Sequence, residues 1–386
     1  MGKDELDQFR RGLDAVDGKI LEAVAERQAL IEQVARLKAQ NGIELRDLLR
    51  EEAQLSRLSD MARERGLSAY FVKRLFREIL DYSVRQQQQH LVDMHNPDRI
   101  KERVVVAYQG TDGAYSQIAA EQHFGGWAGE LACEGHETFA AMLAAVSSGA
   151  ADYGMLPVEN TTAGSINDAY DLLANTTLSA VGEEVLKVEH CLVALRDVPV
   201  EQIAHVYSHP QALAQCSVFL SGLKGCMVEA FTDTAMSVEK VRDEGDPTQA
   251  AIASERAASL YGLQVIARDI ANQAQNYTRF LVVAREALRF DERIPCKTSL
   301  IFSTRHERGA LVRCLNLLAD RNLNLTKLES RPRLHSPFEY LFYVDFEGNL
   351  ESEEVQAALE GMREHTSSLK VLGSYPAHGG PGGTGS

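Results

Sequence analysis

The first 96 residues contain no proline. Over that span Leu6, Phe9, Leu13, Val16 and Ile20 recur at spacings of three and four, the signature of one apolar helix face. The pattern runs to about Gln40, where Asn41-Gly42 provides a stop. A helix of roughly 35 residues is long for a globular domain and points to helix–helix association. A second helix is expected over about Arg46–Arg65, ending at Gly66, and a third from Ser68 as N-cap to about His90. One long helix and two shorter ones make a poor monomer, so a dimer with a shared core is expected.

After the linker "DMHNPDRIKER" the texture changes. "RVVVAYQG" reads as a buried strand, "SQIAAEQHF" as a helix, and strand and helix signals then alternate through "RFLVVARE". Such alternation predicts an α/β region with a mainly parallel sheet, as one domain or two lobes. From Lys297 the order becomes βαββαβ, the ferredoxin-like sequence of elements. At 386 residues the chain has room for two to three domains. A glycine-rich end, 377–386, reads as a disordered tail.

The formal net charge is −15, which argues against nucleic acid and anionic membrane surfaces as partners. Residues 1–92 are balanced, with 16 basic and 16 acidic side chains, against 24 basic and 39 acidic elsewhere. Six scattered cysteines without metal-ligand spacing fit reduced thiols and a cytoplasmic location, and no metal or cofactor is expected. No signal peptide or membrane span is visible.

Within the helical segment, Arg27 and Lys38 are 11 residues apart and fall within roughly 20° of each other around the helix. They bracket Ile31 and Val34. On the third helix Leu75, Ile79, Ser83 and Gln87 share a face, and the second gathers Asp47, Arg50 and Glu51. Buried cations need partners. Any one of these residues fits an ion-paired solvated face, but the set converges on a pocket for a small dicarboxylate. The set resembles the AroQ-type chorismate mutase motif found at the N-terminus of bacterial P-proteins, with matches at Arg10, Arg27, Lys38, Asp47, Arg50, Glu51, Ser83 and Gln87. The resemblance implies a domain-swapped dimer in which Arg10 enters the partner's site. It also implies rearrangement of chorismate to prephenate, with Arg10 and Arg27 on carboxylates and Arg50 supporting, Lys38 and Gln87 on the ether oxygen, and Glu51 on the ring hydroxyl.

In the α/β region "LPVENTTAGSINDAYDLL" and "VYSHPQALAQC" each run from a strand through a polar turn into a helix. In the second, Ser208 reads as the cap and Pro210 as the first turn. "NYTRF" sets a hydroxyl and a guanidinium at the mouth of a buried strand. With "PVEN" (157–160), "SHPQ" (208–211) and "TRF" (278–280) in that order, the region resembles prephenate dehydratase. The resemblance implies a two-lobed, periplasmic-binding-protein-like fold. It makes Thr278 the essential threonine at the departing ring hydroxyl, with Glu159, Asn160, Thr161, Ser208, Gln215 and Arg279 as substrate-binding candidates. "QGTDGAYS" also has the form carried by plant arogenate dehydratases.

The βαββαβ segment carries "GALV" (309–312) and "ESRP" (329–332) and resembles an ACT domain. By that resemblance Gly309, Ala310, Leu311, Val312, Glu329, Ser330, Arg331 and Pro332 bind L-phenylalanine as a feedback inhibitor. The expected organisation is a mutase over 1–92, a dehydratase over 104–286 and an ACT domain over 297–376, in a homodimer or higher oligomer. Two alternatives are an arogenate dehydratase with a fused mutase and a non-enzymatic amino-acid-binding regulator.

Overall fold

The computed structural model describes residues 2–127, 129–305, 307–333 and 339–377. All but the first residue of the expected tail lies outside the described residues. The chain divides into two compact units, one of residues 1–100 with 289–294, the other of residues 101–288 with 295 onward.

The first unit holds α1 (Gly2–Asn41), α2 (Leu48–Glu64) and α3 (Ala69–His95). Helix α1 stops where Gly42 takes a φ of +64°, a conformation that costs glycine little. The Asp47 carboxylate caps α2 by accepting from Arg50 N at 3.0 Å, and Ser68 Oγ caps α3 by accepting from Phe71 N. Segment 289–294 returns to this unit. Asn96 exchanges two hydrogen bonds with the Arg289 backbone, and Arg293 Nη1 donates to Lys38 O at 2.8 Å at the end of α1. The apolar stripe of α1 is largely uncovered in the single chain: Phe9 is 73% exposed and Leu13 64%.

The second unit opens with β1 (Arg103–Gln109), α4 (Tyr115–Phe124), β2 (Glu130–His136), α5 (Phe139–Ser148), β3 (Tyr153–Asn160), β4 (Gly164–Ser165), α6 (Asn167–Asn175) and β5 (Ser179–Lys187). It continues through β6 (Cys191–Ala194), β7 (His205–Ser208), α7 (Pro210–Gln215), α8 (Ser217–Ser221), β8 (Met227–Ala230), α9 (Thr234–Glu244), β9 (Gln249–Ala253), α10 (Glu255–Tyr261) and β10 (Gln264–Ala267), and returns along β11 (Tyr277–Ala284). Two sheets result, ordered β2-β1-β3-β11-β5 and β8-β7-β9-β6-β10, with β4 paired to β3. These are two lobes built on one plan. In each, four of these five strands point the same way, and the fourth in order, β11 or β6, is antiparallel to both its neighbours. The expected mainly parallel arrangement is interrupted in each lobe by one antiparallel strand, β6 or β11, which is the strand the chain enters on crossing from the other lobe. The first core centres on Tyr108, Met155 and Phe280, and the second lobe buries Val193, Val238 and Ala251.

The C-terminal sheet has β12 (Cys296–Thr304), α11 (Ala310–Ala319), β13 (Leu325–Pro332), β14 (Tyr340–Glu347), α12 (Glu353–His365) and β15 (Thr366–Pro376). Its order, β13-β14-β12-β15, is antiparallel throughout and ferredoxin-like. Strand β15 lies against β5 of the first lobe. There Gly373, with φ +153°, passes so near that a Cβ would stand 2.0 Å from Ala180 O. Only glycine allows this approach.

Candidate active sites

In the helical unit Arg27 and Ser83 meet across α1 and α3, with Arg27 Nη1 donating to Ser83 Oγ. Gln87 Nε2 donates to Ser83 O at 3.3 Å, and its buried Oε1 has no partner among the described residues. Such an atom costs about 1–3 kcal/mol unless a ligand satisfies it. Lys38 Nζ donates to Leu45 O at 2.6 Å. Burial and then Arg50 lower the Lys38 pKa, against the pull of Asp47 and Glu51, and burial lowers that of Arg27. Glu51 is held by Arg46, a residue the motif did not include, which also reaches Asp81 at 2.9 Å. Arg10 stands apart from the others, exposed and paired with Asp7.

Asp47 acts here as a helix cap. Asp47→Ala is therefore expected to destabilise the helical unit by about 1 kcal/mol. A lowered urea midpoint for the loss of mutase activity would record it, and an unchanged midpoint would contradict the capping role.

In the two-lobed region, strand register brings the chemistry together. Thr278 lies opposite Asn160, and Arg279 opposite Glu159. Successive strand residues face opposite ways. On one face Asn160 Nδ2 donates to Thr278 Oγ1 at 3.0 Å and to Asn276 Oδ1 at 2.8 Å. Asn160 Oδ1 accepts from Thr162, Ala163 N and Gln215 Nε2, which fixes the amide's orientation. Gln215 Oε1 accepts from Asn276 Nδ2 at 3.0 Å and lies 2.8 Å from His190 Nε2. His190 Nδ1 lies 3.0 Å from the Tyr115 hydroxyl. Burial lowers the His190 pKa, opposed only by the bond to Gln215, so the ring is neutral, with Nε2–H donating to Gln215. This network follows both crossings between the lobes.

Asn160, Gln215 and Thr278 are thus gathered as expected residues, while Thr162, His190, Asn276 and Tyr115 are additions. Thr161 ties the neighbouring turn, accepting from Tyr277 N at 2.9 Å. Ser208 is a correction. Strand β7 runs through it, so its side chain is fully buried and donates to Ile252 O, and His209 caps α7 instead. Glu159 and Arg279 face away from Thr278. Arg279 is bound by Glu183, Asp345 and Tyr375, and Glu159 by Lys327. Burial opposes the Arg279 charge, but Tyr375, Asp345 and Glu183 outweigh it and raise the pKa. A cavity of about 310 Å³ opens beside Gln215, Asn276, Gln211 and Thr162, and another of about 420 Å³ beside Tyr115, Lys187 and Arg256. Thr278 lines neither.

In the C-terminal sheet Gly309 caps α11 with φ +73°. Ala310 is buried and Val312 exposed. "ESRP" ends β13. Ser330 pairs with Phe342 of β14, which pairs with Phe302 of β12, so this end of β13 lies where β12 passes into α11. Glu329 and Arg331 both engage the first lobe: Glu329 accepts from Ser165 Oγ at 2.9 Å, and Arg331 grips Asp171 through two bonds.

Comparisons with known proteins agree with this layout. Residues 9–88 match the family model for chorismate mutase type II, and residues 106–288 that for prephenate dehydratase. The bifunctional chorismate mutase/prephenate dehydratase of Enterobacter agglomerans is 41% identical over 370 residues, which is 96% of this chain and 95% of that protein. Arogenate dehydratase/prephenate dehydratase 2 of Arabidopsis thaliana is 44% identical over 283 residues, 71% of this chain and 73% of that protein. The solved prephenate dehydratase of Arthrobacter aurescens, in complex with L-Phe, is 27% identical with a TM-score of 0.65, covering 71% of this chain and 90% of that one. A helical segment with the mutase set, followed by two lobes that share one plan and carry PVEN, SHPQ and TRF, places the chain in the bifunctional chorismate mutase/prephenate dehydratase family.

Proposed function

We propose that residues 1–92 rearrange chorismate to prephenate, that residues 104–286 convert prephenate to phenylpyruvate, and that residues 297–376 form an ACT domain through which L-phenylalanine restrains the enzyme. The observation that carries the dehydratase half is the hydrogen-bond order at Thr278. Its oxygen accepts from Asn160, so its own hydrogen is left to donate to a leaving group. Loss of CO₂ pushes electrons into the ring, the C–O bond breaks, and the hydroxyl departs. Donation from Thr278 steadies the charge that gathers on that oxygen. Asn160 and Gln215 set the geometry. Ser208 and Arg279 serve the fold rather than the substrate.

In the mutase, no bond to the protein forms. Arg27, Ser83 and Gln87 hold the substrate's shape, and Lys38 stabilises charge on the breaking ether oxygen. The open apolar stripe of α1 supports pairing with a second copy, since each such side chain gains about 1.5–3 kcal/mol when fully buried. Arg10, free of the site in its own chain, suits the partner's site. Six free thiols fit the reducing cytoplasm.

Product analysis tests the assignment. Phenylpyruvate is expected from chorismate and from prephenate, with the second step suppressed by L-phenylalanine. The form "QGTDGAYS" and the likeness to the plant enzyme favour one second reading, an arogenate dehydratase. Phenylalanine from arogenate with little phenylpyruvate from prephenate would establish it.

A further inference from the structure

The two strands that carry Asn160 and Thr278 have a second face, and it is charged. Glu159 and Arg279 sit side by side there, one residue from each member of the pair. A register shift places Val158 as an extra residue in β3 beside them. Bulges of this kind re-aim side chains next to active sites. What meets this face is the C-terminal sheet. Lys327 Nζ of β13 donates to Glu159 Oε2 at 2.7 Å, and Asp345 Oδ2 of β14 accepts from Arg279 Nη1 at 2.6 Å. Asp345 is itself held by Ser299 Oγ, and Arg279 also reaches Glu183 at 2.9 Å and the Tyr375 hydroxyl at 2.8 Å. Arg279 and Asp345 are 14% and 10% exposed, so their pair lies largely out of water, where charge interactions are strong, whereas Lys327 is 11% exposed and reaches the half-exposed Glu159.

We propose that Lys327 and Asp345 are positioning residues for the dehydration, holding Glu159 and Arg279 from behind and so fixing Asn160 and Thr278 in front. The inference rests on the reading of Thr278 given above. Each clamped residue shares a peptide bond with the residue it positions, so a change on the rear face is passed on as a displacement of the front. A misplacement of about 1 Å costs ~10²-fold in rate. Lys327 also begins a row, continued by Glu329 and Arg331, whose members all hold the first lobe. The strand bearing the effector motif is therefore the strand that grips the catalytic ribbon.

The test is steady-state kinetics of the full-length protein on prephenate, with turnover of chorismate as an internal control. Lys327→Met and Asp345→Asn are expected to lower dehydratase kcat at least ~10-fold with KM within about twofold, whereas Lys327→Arg, which keeps the charge, retains kcat within about twofold. Mutase turnover stays unchanged in all three. Wild-type kcat in either Lys327→Met or Asp345→Asn overturns the inference, as does a loss that Lys327→Arg shares. Thr278→Ala separates the two levels. If that variant keeps dehydratase turnover, the reading of Thr278 fails. If it loses turnover while the rear-face variants keep theirs, the present inference alone fails.

Discussion

Thr278→Ala is expected to lower dehydratase kcat by ~10²–10⁴-fold and to leave mutase turnover unchanged. A threonine hydroxyl is too weak an acid to protonate the departing oxygen before the C–O bond gives way. The service proposed for it is a hydrogen bond that strengthens as negative charge builds, an interaction made mainly in the transition state. That service needs the hydroxyl hydrogen directed outward, and the structure supplies the reason. Asn160 Nδ2 donates to Thr278 Oγ1, while Asn160 Oδ1 is occupied by two backbone N–H groups, the Thr162 hydroxyl and Gln215. The amide cannot turn over without breaking those bonds, so it cannot present its oxygen to Thr278. Thr278→Ser keeps the hydroxyl and should recover most of the rate. The loss should fall on kcat rather than on KM for prephenate. Mutase turnover is the internal control, because the mutase residues belong to a different compact unit. Equal loss of both activities would contradict separate sites.

The features legible in the sequence are those set by local spacing. The three helices follow from three- and four-residue recurrence and from caps at Ser68 and Gly42, and the structure ends α1 and begins α3 at those signals. The βαββαβ order is also local, and its sheet forms as expected. The missed features depend on tertiary placement. Nothing near His190 or Asn276 in sequence marks them, because they acquire partners only where the chain crosses between lobes. From the sequence Arg279 reads as a guanidinium at a strand mouth, placed for a substrate carboxylate or for its own loop. Its carboxylate partners Glu183 and Asp345 lie 96 and 66 residues away, the second on a strand whose docking no local pattern encodes. Ser208 has the composition of a cap, but β7 extends one residue further than the motif suggests and turns the hydroxyl inward. The exposed stripe of α1 is the converse case. Periodicity marks it as core, and one copy of the chain leaves it uncovered.

Lys38→Ala should reduce mutase kcat by ~10²–10³-fold, the usual cost of removing one preorganised group at a developing oxyanion. The fold should survive. Lys38 makes a bond to Leu45 O at the end of α1, whereas the α1–α3 contact runs through Arg27 and Ser83. The pH dependence adds a sharper test. Burial, then Arg50, lowers the Lys38 pKa from its ordinary 10.5. Its ammonium is therefore lost at a lower pH than a free lysine's, and mutase kcat/KM, which reports the free enzyme, should fall as pH rises through the lowered value. The contribution to stability has the opposite sign. Between the folded-state pKa and 10.5 the unfolded chain binds the proton and the folded chain does not, so this group's contribution to stability rises with pH in that window. Alkaline unfolding would lower activity and stability together. Titration of Lys38 lowers activity while its own contribution to stability grows. The residual activity of Lys38→Ala should lack this alkaline limb, and a limb that persists in the variant would assign the titration to another group.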